Sequence, residues 1–253
     1  MEPSDFQQAG AHPRVAVVVP AFNPTDRLMS VVGGLPPSVD VVVVVDDGSK
    51  LPVSLPADAC ARTTVVVRHG RNRGVGAAIV TGYRECRARG IEIAVVMGAD
   101  DQMDPADLER LIEPVASGLA VYAKGDRLSH RDCATSMPLA RRFGNSCLTF
   151  LTRLVTALPL VDSQCGYTAI RVSCLDLLPL DHLYPRYGFP NDILAALSGA
   201  GLPVVDVTVR PIYRNEPSGI RPGTATLVYP LILARSVFTR LIAWSYRFRR
   251  QST

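Results

Sequence analysis

The sequence predicts an α/β fold built on a mainly parallel central sheet flanked by helices. Three observations carry this. Apolar runs rich in Val and Ile alternate along the chain with stretches of helical spacing, the order expected of strand–helix units. The runs are continuous rather than alternating apolar with polar, as suits strands covered on both faces. Acid-rich turns stand just past the ends of two runs, on the rim where such sheets bind ligands.

Each element follows from its residues. The run 15–20 is β-branched and ends in Pro20, so it reads as a buried strand. A short helix over 25–32 follows the Asn23-Pro24 turn. The run 39–45 is a second strand, ending at Asp46-Asp47-Gly48-Ser49, and 63–67 is a third. Residues 74–89 have helical spacing, with Ala77, Val80 and Arg84 in register. The run 91–97 is a fourth strand. A helix over 105–115 opens on Pro105, with Asp104 or a neighbour as its cap. Beyond it come a long helix over 139–158, a strand over 165–172, a helix over 191–200 and a strand over 203–209. The segment 223–253 reads as a basic amphipathic appendage on a main domain of 14–222, and residues 1–13 read as a flexible N-terminus.

The chain has 253 residues, 47% of them hydrophobic and 20% charged, enough for a sizeable core. Its net charge of +4 is unevenly placed. From Gly223 onward there are five arginines and no acid, while the other 222 residues hold 22 basic and 23 acidic residues. Six scattered cysteines show no CxxC pair, which suits reduced thiols in a cytoplasmic protein. The polar, acidic N-terminus does not read as a signal peptide. The stretch Pro-Ala-Phe-Asn-Pro after the first strand is not the glycine-rich turn of a dinucleotide-binding dehydrogenase. Nucleic acid is not an expected partner, because the excess basic charge lies on one apolar-faced segment.

The stretch Met97-Gly-Ala-Asp-Asp-Gln-Met-Asp-Pro105 raises the sharpest chemical question. Carboxylates gathered at a strand end repel one another unless a cation or proton sits between them. Asp100 and Gln102 are alternate residues, so an extended backbone points both side chains the same way. Together they form half a site for Mg²⁺ or Mn²⁺, with diphosphate oxygens and water completing the shell. The alternative is a capping Asp on a solvated turn.

Several motifs, in order, resemble those of the family 2 glycosyltransferases, which have the nucleotide-sugar-binding GT-A fold. They are VAVVVPAFNPTDRL at 15–28, VVVVDDGS at 42–49, NRGVGAAIVTG at 72–82 and GADDQMDP at 98–105. DSQCGYTAIR at 162–171 and GFPNDILAAL at 188–197 resemble later segments of polyprenyl-phosphate hexose transferases. The resemblance implies a nucleotide-sugar donor whose base and ribose meet Asp46 and Asp47, with Pro20, Ala21 and Asn23 lining the same pocket. Gly74 and Asp101 join that donor set. Asp100 and Gln102 would hold the divalent metal on the diphosphate. The chain departs from the family at Gly98, where the metal motif usually carries its first Asp, and at Pro24, where an acid often stands.

The resemblance also implies a polyprenyl-phosphate acceptor and inversion by single displacement. A phosphate acceptor needs arginines to hold it. The candidates are Arg127, Arg141 and Arg142 with Ser146, and Arg214, Ser218 and Arg221 in the loop after 213. A soluble hydroxyl acceptor or glycan would instead need a general base, for which Asp192 and Asp162 are candidates. A nucleotide-sugar-binding protein without turnover is the third reading. In the C-terminal segment Pro230 can open a helix. Its Leu231, Ala234, Phe238, Leu241 and Phe248 fall on one face, and Arg235, Arg240, Arg247 and Arg250 on the other. Such a helix can lie in the inner face of the cytoplasmic membrane, or pack on its own domain or on a second subunit of a homo-oligomer.

Overall fold

The computed structural model of the chain describes residues 12–55, 62–213 and 222–251. Its centre is a seven-stranded sheet. The strands are β1 (Val15–Ala21), β2 (Val41–Asp46), β3 (Thr63–Arg68), β4 (Ile93–Val96), β5 (Tyr122–Asp126), β6 (Thr168–Arg171) and β7 (Val204–Thr208). They lie in the order β3-β2-β1-β4-β6-β5-β7. All neighbours run parallel except β6, which is antiparallel to both β4 and β5. Val15, Val17 and Val19 of β1 enter one core and Ala16 and Val18 the other, which is why the strand reads as an unbroken apolar run.

The helices are α1 (Arg27–Gly33), α2 (Val75–Ala88), α3 (Leu108–Ala116), a single-turn α4 (Cys133–Ser136), α5 (Leu139–Thr156), α6 (Phe189–Gly199) and α7 (Pro222–Gln251). Leu28 of α1 and Leu111 of α3 cover the first core. Tyr83 of α2, Ile193 of α6 and Ala243 of α7 cover the second. α3 is preceded by a turn of 3₁₀ helix at Pro105–Asp107, where the Asp104 side chain accepts from the Ala106 amide as expected of a cap.

Two expectations need correction. β5 has no counterpart in the sequence reading. Its residues, Tyr-Ala-Lys-Gly-Asp, are all buried, but the apolar run that leads into it, 119–123, gives way to Lys124, Gly125 and Asp126 within the strand. The last helix begins at Pro222, and Pro230 lies inside it. Pro222 takes the first-turn position that proline favours.

The packing of α7 departs from the expected split of an apolar and a basic face. Its buried residues are Ile232, Ser236, Thr239 and Ala243, which turn toward α6. Arg235 bonds Asp192 and the His182 carbonyl, and Arg240 bonds the Val155 carbonyl. Leu231, Phe238 and Leu241 remain exposed. The side chains of Arg247, Phe248 and Arg250 lie outside the described residues.

Candidate active site

Six strands, all but β6, end on one rim of the sheet, and the loops that follow them build two clefts. The first, of about 180 Å³, lies between β1 and the start of α2 and is lined by Pro20, Ala21, Asp47, Gly74 and Arg186 among others. Its wall is held by Asp47, which is almost wholly buried. One Asp47 oxygen accepts from the Arg73 amide at 2.8 Å and pairs with His69 Nδ1 at 2.7 Å. The other accepts from the Gly74 amide at 2.7 Å. His69 in turn meets Thr81 Oγ1 at 2.9 Å. Gly74 has φ of 104°, and a Cβ there would stand 2.3 Å from the Pro185 carbonyl oxygen. Only glycine permits that conformation and that approach.

Asp46 does not face this cleft. It is fully buried, and its carboxylate accepts from the Ser49 and Val53 amides at 2.8 and 3.2 Å. Burial alone would raise its pKa. The bonds from Ser49 and Val53 and the charge of Arg68 outweigh burial and hold it below the usual carboxylate value. Its work is to shape the turn that presents Asp47. Asn23 is displaced too. Its side-chain oxygen accepts from the Lys50 amide at 2.9 Å, and it lines a separate outer groove with Lys50 rather than the pocket of Pro20 and Ala21.

The second cleft is smaller and more charged. Asp100, Gln102, Arg127, Arg210 and Tyr213 line it. Asp100 Oδ1 accepts from the Gln102 amide at 3.3 Å, and Asp101 between them adopts φ of 59°. That left-handed residue turns the chain so that Asp100 and Gln102 border the cleft, while Asp101 does not line it. A Cβ at Gly98 would come within 2.8 Å of Asp100 Oδ1, so the Asp100 carboxylate occupies the space that a side chain at 98 would enter. The donor set of one carboxylate and one amide oxygen suits a hard divalent ion that brings diphosphate oxygens and water with it. Among the described residues no three His, Cys, Asp or Glu side chains converge on one point.

Arg127 lines the same cleft. Nε and Nη2 donate to the two oxygens of Asp162 at 2.7 and 3.1 Å, and Nη1 donates to the Tyr213 hydroxyl at 3.3 Å. Asp162 is fully buried. Burial pushes its carboxyl up, but the Arg127 guanidinium and its hydrogen bonds prevail and hold it below the usual range. A guanidinium carries five N–H donors, so this two-pronged clamp leaves others for a ligand. Arg141 stacks on the Tyr213 ring at 4.8 Å, bringing a second guanidinium to the same corner.

Three further candidates sit elsewhere. Asp192 is fully buried, accepting from the Tyr184 amide, Arg235 Nε and Ser236 Oγ at 2.9, 3.0 and 3.0 Å. It fastens α7 and presents no lone pair to either cleft, so the expectation of a general base there is set aside. Arg142 and Ser146 are exposed on α5, where Ser146 Oγ donates back to the Arg142 carbonyl. They line neither cleft. Arg214, Ser218 and Arg221 lie outside the described residues. Arg141 was among the sequence candidates, whereas Arg186, Tyr213 and His69 were not. His69 follows the third strand as the acids follow the second and fourth, a positional signal that was available. Arg186 and Tyr213 stand in irregular stretches with no motif.

The model of glycosyl transferase family 2 matches residues 16–178. The UDP-N-acetylglucosamine–dolichyl-phosphate N-acetylglucosaminyltransferase of Methanococcus voltae is 28% identical over 79% of this chain and 86% of its own length. The undecaprenyl-phosphate mannosyltransferase of Micrococcus luteus is 30% identical over 80% of this chain and 85% of its own. Among solved structures, glucosyl-3-phosphoglycerate synthase from Mycobacterium tuberculosis, in complex with Mn²⁺, UDP and phosphoglyceric acid, superposes with a TM-score of 0.66. It is 21% identical and covers 93% of this chain and 82% of that one, and the likeness is one of fold.

Proposed function

The chain belongs to glycosyl transferase family 2, and from that premise we propose that it moves a hexose from a nucleoside-diphosphate sugar to a polyprenyl phosphate, by single displacement with inversion. The observation that carries this is the second cleft, which brings the half-site Asp100–Gln102 and the clamped Arg127 into one lining. The relatives from M. voltae and M. luteus, named for transfer to dolichyl and undecaprenyl phosphate, support the acceptor class.

In this reading the donor nucleotide lies along Pro20, Ala21 and Gly74, with Asp47 holding the wall. Asp100 and Gln102 face its diphosphate and would hold Mg²⁺ or Mn²⁺ there. When bound, that ion neutralises charge on the departing nucleoside diphosphate. Arg127, fixed by Asp162 and Tyr213, orients the acceptor phosphate. A phosphate monoester with a second pKa of about 6 is already largely ionised at neutral pH and needs no base. The burial of Asp192 fits that economy. A lipid acceptor puts the reaction at a membrane surface.

The test is nucleoside-diphosphate release from GDP-mannose, UDP-glucose and UDP-N-acetylglucosamine with Mg²⁺ or Mn²⁺, with and without polyprenyl phosphate. Release that requires the lipid supports the reading. Release with a soluble hydroxyl or glycan acceptor alone replaces it, and donor binding without product points to a non-catalytic protein. Asp100→Asn should keep the fold and lower turnover about a hundredfold or more, the scale of a metal's contribution.

A further inference from the structure

α5 and α7 share an unusual arrangement. α5 buries Thr149, Thr152 and Thr156, spaced three and four residues apart. These hydroxyls are satisfied inside the protein: Thr149 and Thr152 meet Ser163, Thr152 also accepts from Asn191, and Thr156 donates to the Thr152 carbonyl. The opposite face carries Leu139, Phe143, Phe150 and Leu154, exposed by 60 to 77%. α7 repeats the pattern in part, burying Ser236 and Thr239 between Ile232 and Ala243 while Leu231, Phe238, Leu241 and Trp244 are exposed by 54 to 72%. The two helices touch, for Arg240 of α7 bonds the Val155 carbonyl of α5. Two adjacent helices therefore turn hydroxyls inward and present leucine and phenylalanine outward, although α7 also buries Ile232 and Ala243. In water this wastes apolar surface that either helix could have turned inward.

We infer that the outward faces of α5 and α7 together form a platform that lies in the surface of an anionic lipid bilayer. Charge selects this occupant. Neither helix contains an acid, while α5 holds Arg141, Arg142 and Arg153, and the end of α7 reads Trp244-Ser-Tyr-Arg-Phe-Arg-Arg250. Arg142 and Arg153 are exposed beside the apolar stripe. Basic residues flanking leucine and aromatics are what an interfacial helix requires on anionic lipid. A second copy docked about a two-fold axis would offer the same acid-free surface and pair none of these arginines. Among the described residues no helix is long and apolar enough to cross a membrane, which leaves a surface mode of attachment for these helices.

Trp244 is the single tryptophan, half-exposed on the platform, and reports its own environment. With vesicles of equal parts phosphatidylcholine and phosphatidylglycerol its emission should shift to the blue and strengthen. Phosphatidylcholine alone, or high salt, should weaken the response. Phe150→Glu on α5 and Phe238→Glu on α7 should each lower vesicle affinity about tenfold or more. Both side chains are exposed, so far-UV circular dichroism and donor binding should be unchanged. Leu154→Ser gives a milder second probe of α5. Wild-type protein that ignores anionic vesicles overturns the inference. So does a Phe150→Glu and Leu154→Ser pair that binds like wild type. A dimer in sedimentation equilibrium that the Glu variants dissociate would give the face to a second copy instead. The assay contains no donor or acceptor, so its outcome is independent of the proposed reaction.

Discussion

Asp162 sits where water does not reach, yet it is held ionised. Its carboxylate accepts from Arg127 Nε and Nη2 and from the Gln164 amide. The pair is therefore strongly one-sided in its consequences. Removing the guanidinium leaves a buried carboxylate with the Gln164 amide and the nearby Lys124 charge but no ion-pair partner in contact, a change that costs about 3–5 kcal/mol. Arg127→Ala should accordingly lower stability by about 3 kcal/mol in urea denaturation and abolish transfer. Arg127→Lys keeps the charge but loses the fork, so it should recover part of the stability and little of the activity. The pH sign follows from the depressed folded pKa. The pair's contribution is present above the unfolded carboxylate pKa of about 3.9 and is lost as pH falls through the lower folded value. Acid denaturation of wild type should thus steepen below about pH 4, and Arg127→Ala should flatten that limb. Stability that does not change with this substitution would mean the pair is not closed in solution.

At the scale of elements, the strands 15–20, 39–45 and 91–97 were legible because two covered faces demand apolar residues at every position, whereas 63–67 was legible only by its β-branched residues, for β3 is an edge strand with no buried residue. The helices after them were legible through spacing and through Pro105. β5 was not, because it buries Lys124, Gly125 and Asp126. Lys124 Nζ donates to the Cys165 carbonyl, and burial lowers the lysine's pKa. On neighbouring β7, Asp206 stands in register with Lys124. One Asp206 oxygen accepts from the Val161 amide at 2.5 Å, while the other is buried without a partner. Burial is the main reason its pKa rises to about 6, and neighbouring Asp126 and Asp162 add to it. For a carboxyl the raised folded value means the strand pair is favoured at low pH. That advantage is lost as pH rises from about 4, where the unfolded chain ionises, through about 6. Asp206→Asn keeps an acceptor for Val161 and removes the buried charge. It should raise stability by about 1–2 kcal/mol at pH 8, allowing for solvent screening, and by little at pH 4. Chemical denaturation at the two pH values measures the difference. The donor cleft was partly legible for the same reason as the strands: Pro20, Ala21, Asp47 and Gly74 follow recognisable runs. Asp46 and Asn23 belong to those runs too, but sequence does not say which of two adjacent polar side chains turns inward.

For the whole molecule the open question is whether α7 is an appendage. The sequence places a boundary near 222, since charge and composition change there. The packing argues against a free-standing remainder. Ala243 belongs to the larger of the two cores, and a Cβ on Gly199 of α6 would stand 2.2 Å from the Arg240 carbonyl oxygen. Such an approach of two helix backbones exists only because no side chain intervenes. Asp192, fully buried under α7, gets two of its bonds from Arg235 and Ser236. A chain ending at residue 221 would lose both partners and expose the face of α6 that Ile232, Ser236, Thr239 and Ala243 cover. The freed carboxylate can return to water, so the loss of apolar burial dominates. Several side chains at about 1–2 kcal/mol each exceed half of a typical domain's stability. The truncated chain should therefore melt about 10 °C or more below the full chain, or be recovered only as aggregate. Differential scanning calorimetry of both chains is the measurement. A truncated chain that melts cooperatively at the full-length temperature and still binds donor would make α7 a detachable segment. If it melts early, the helix that closes the core on one side is the same helix that offers leucine and tryptophan on the other. Folding and attachment are then properties of one element, and no variant that removes it can report on membrane binding alone. Substitutions on its outer face, such as Phe238→Glu, are what separate the two.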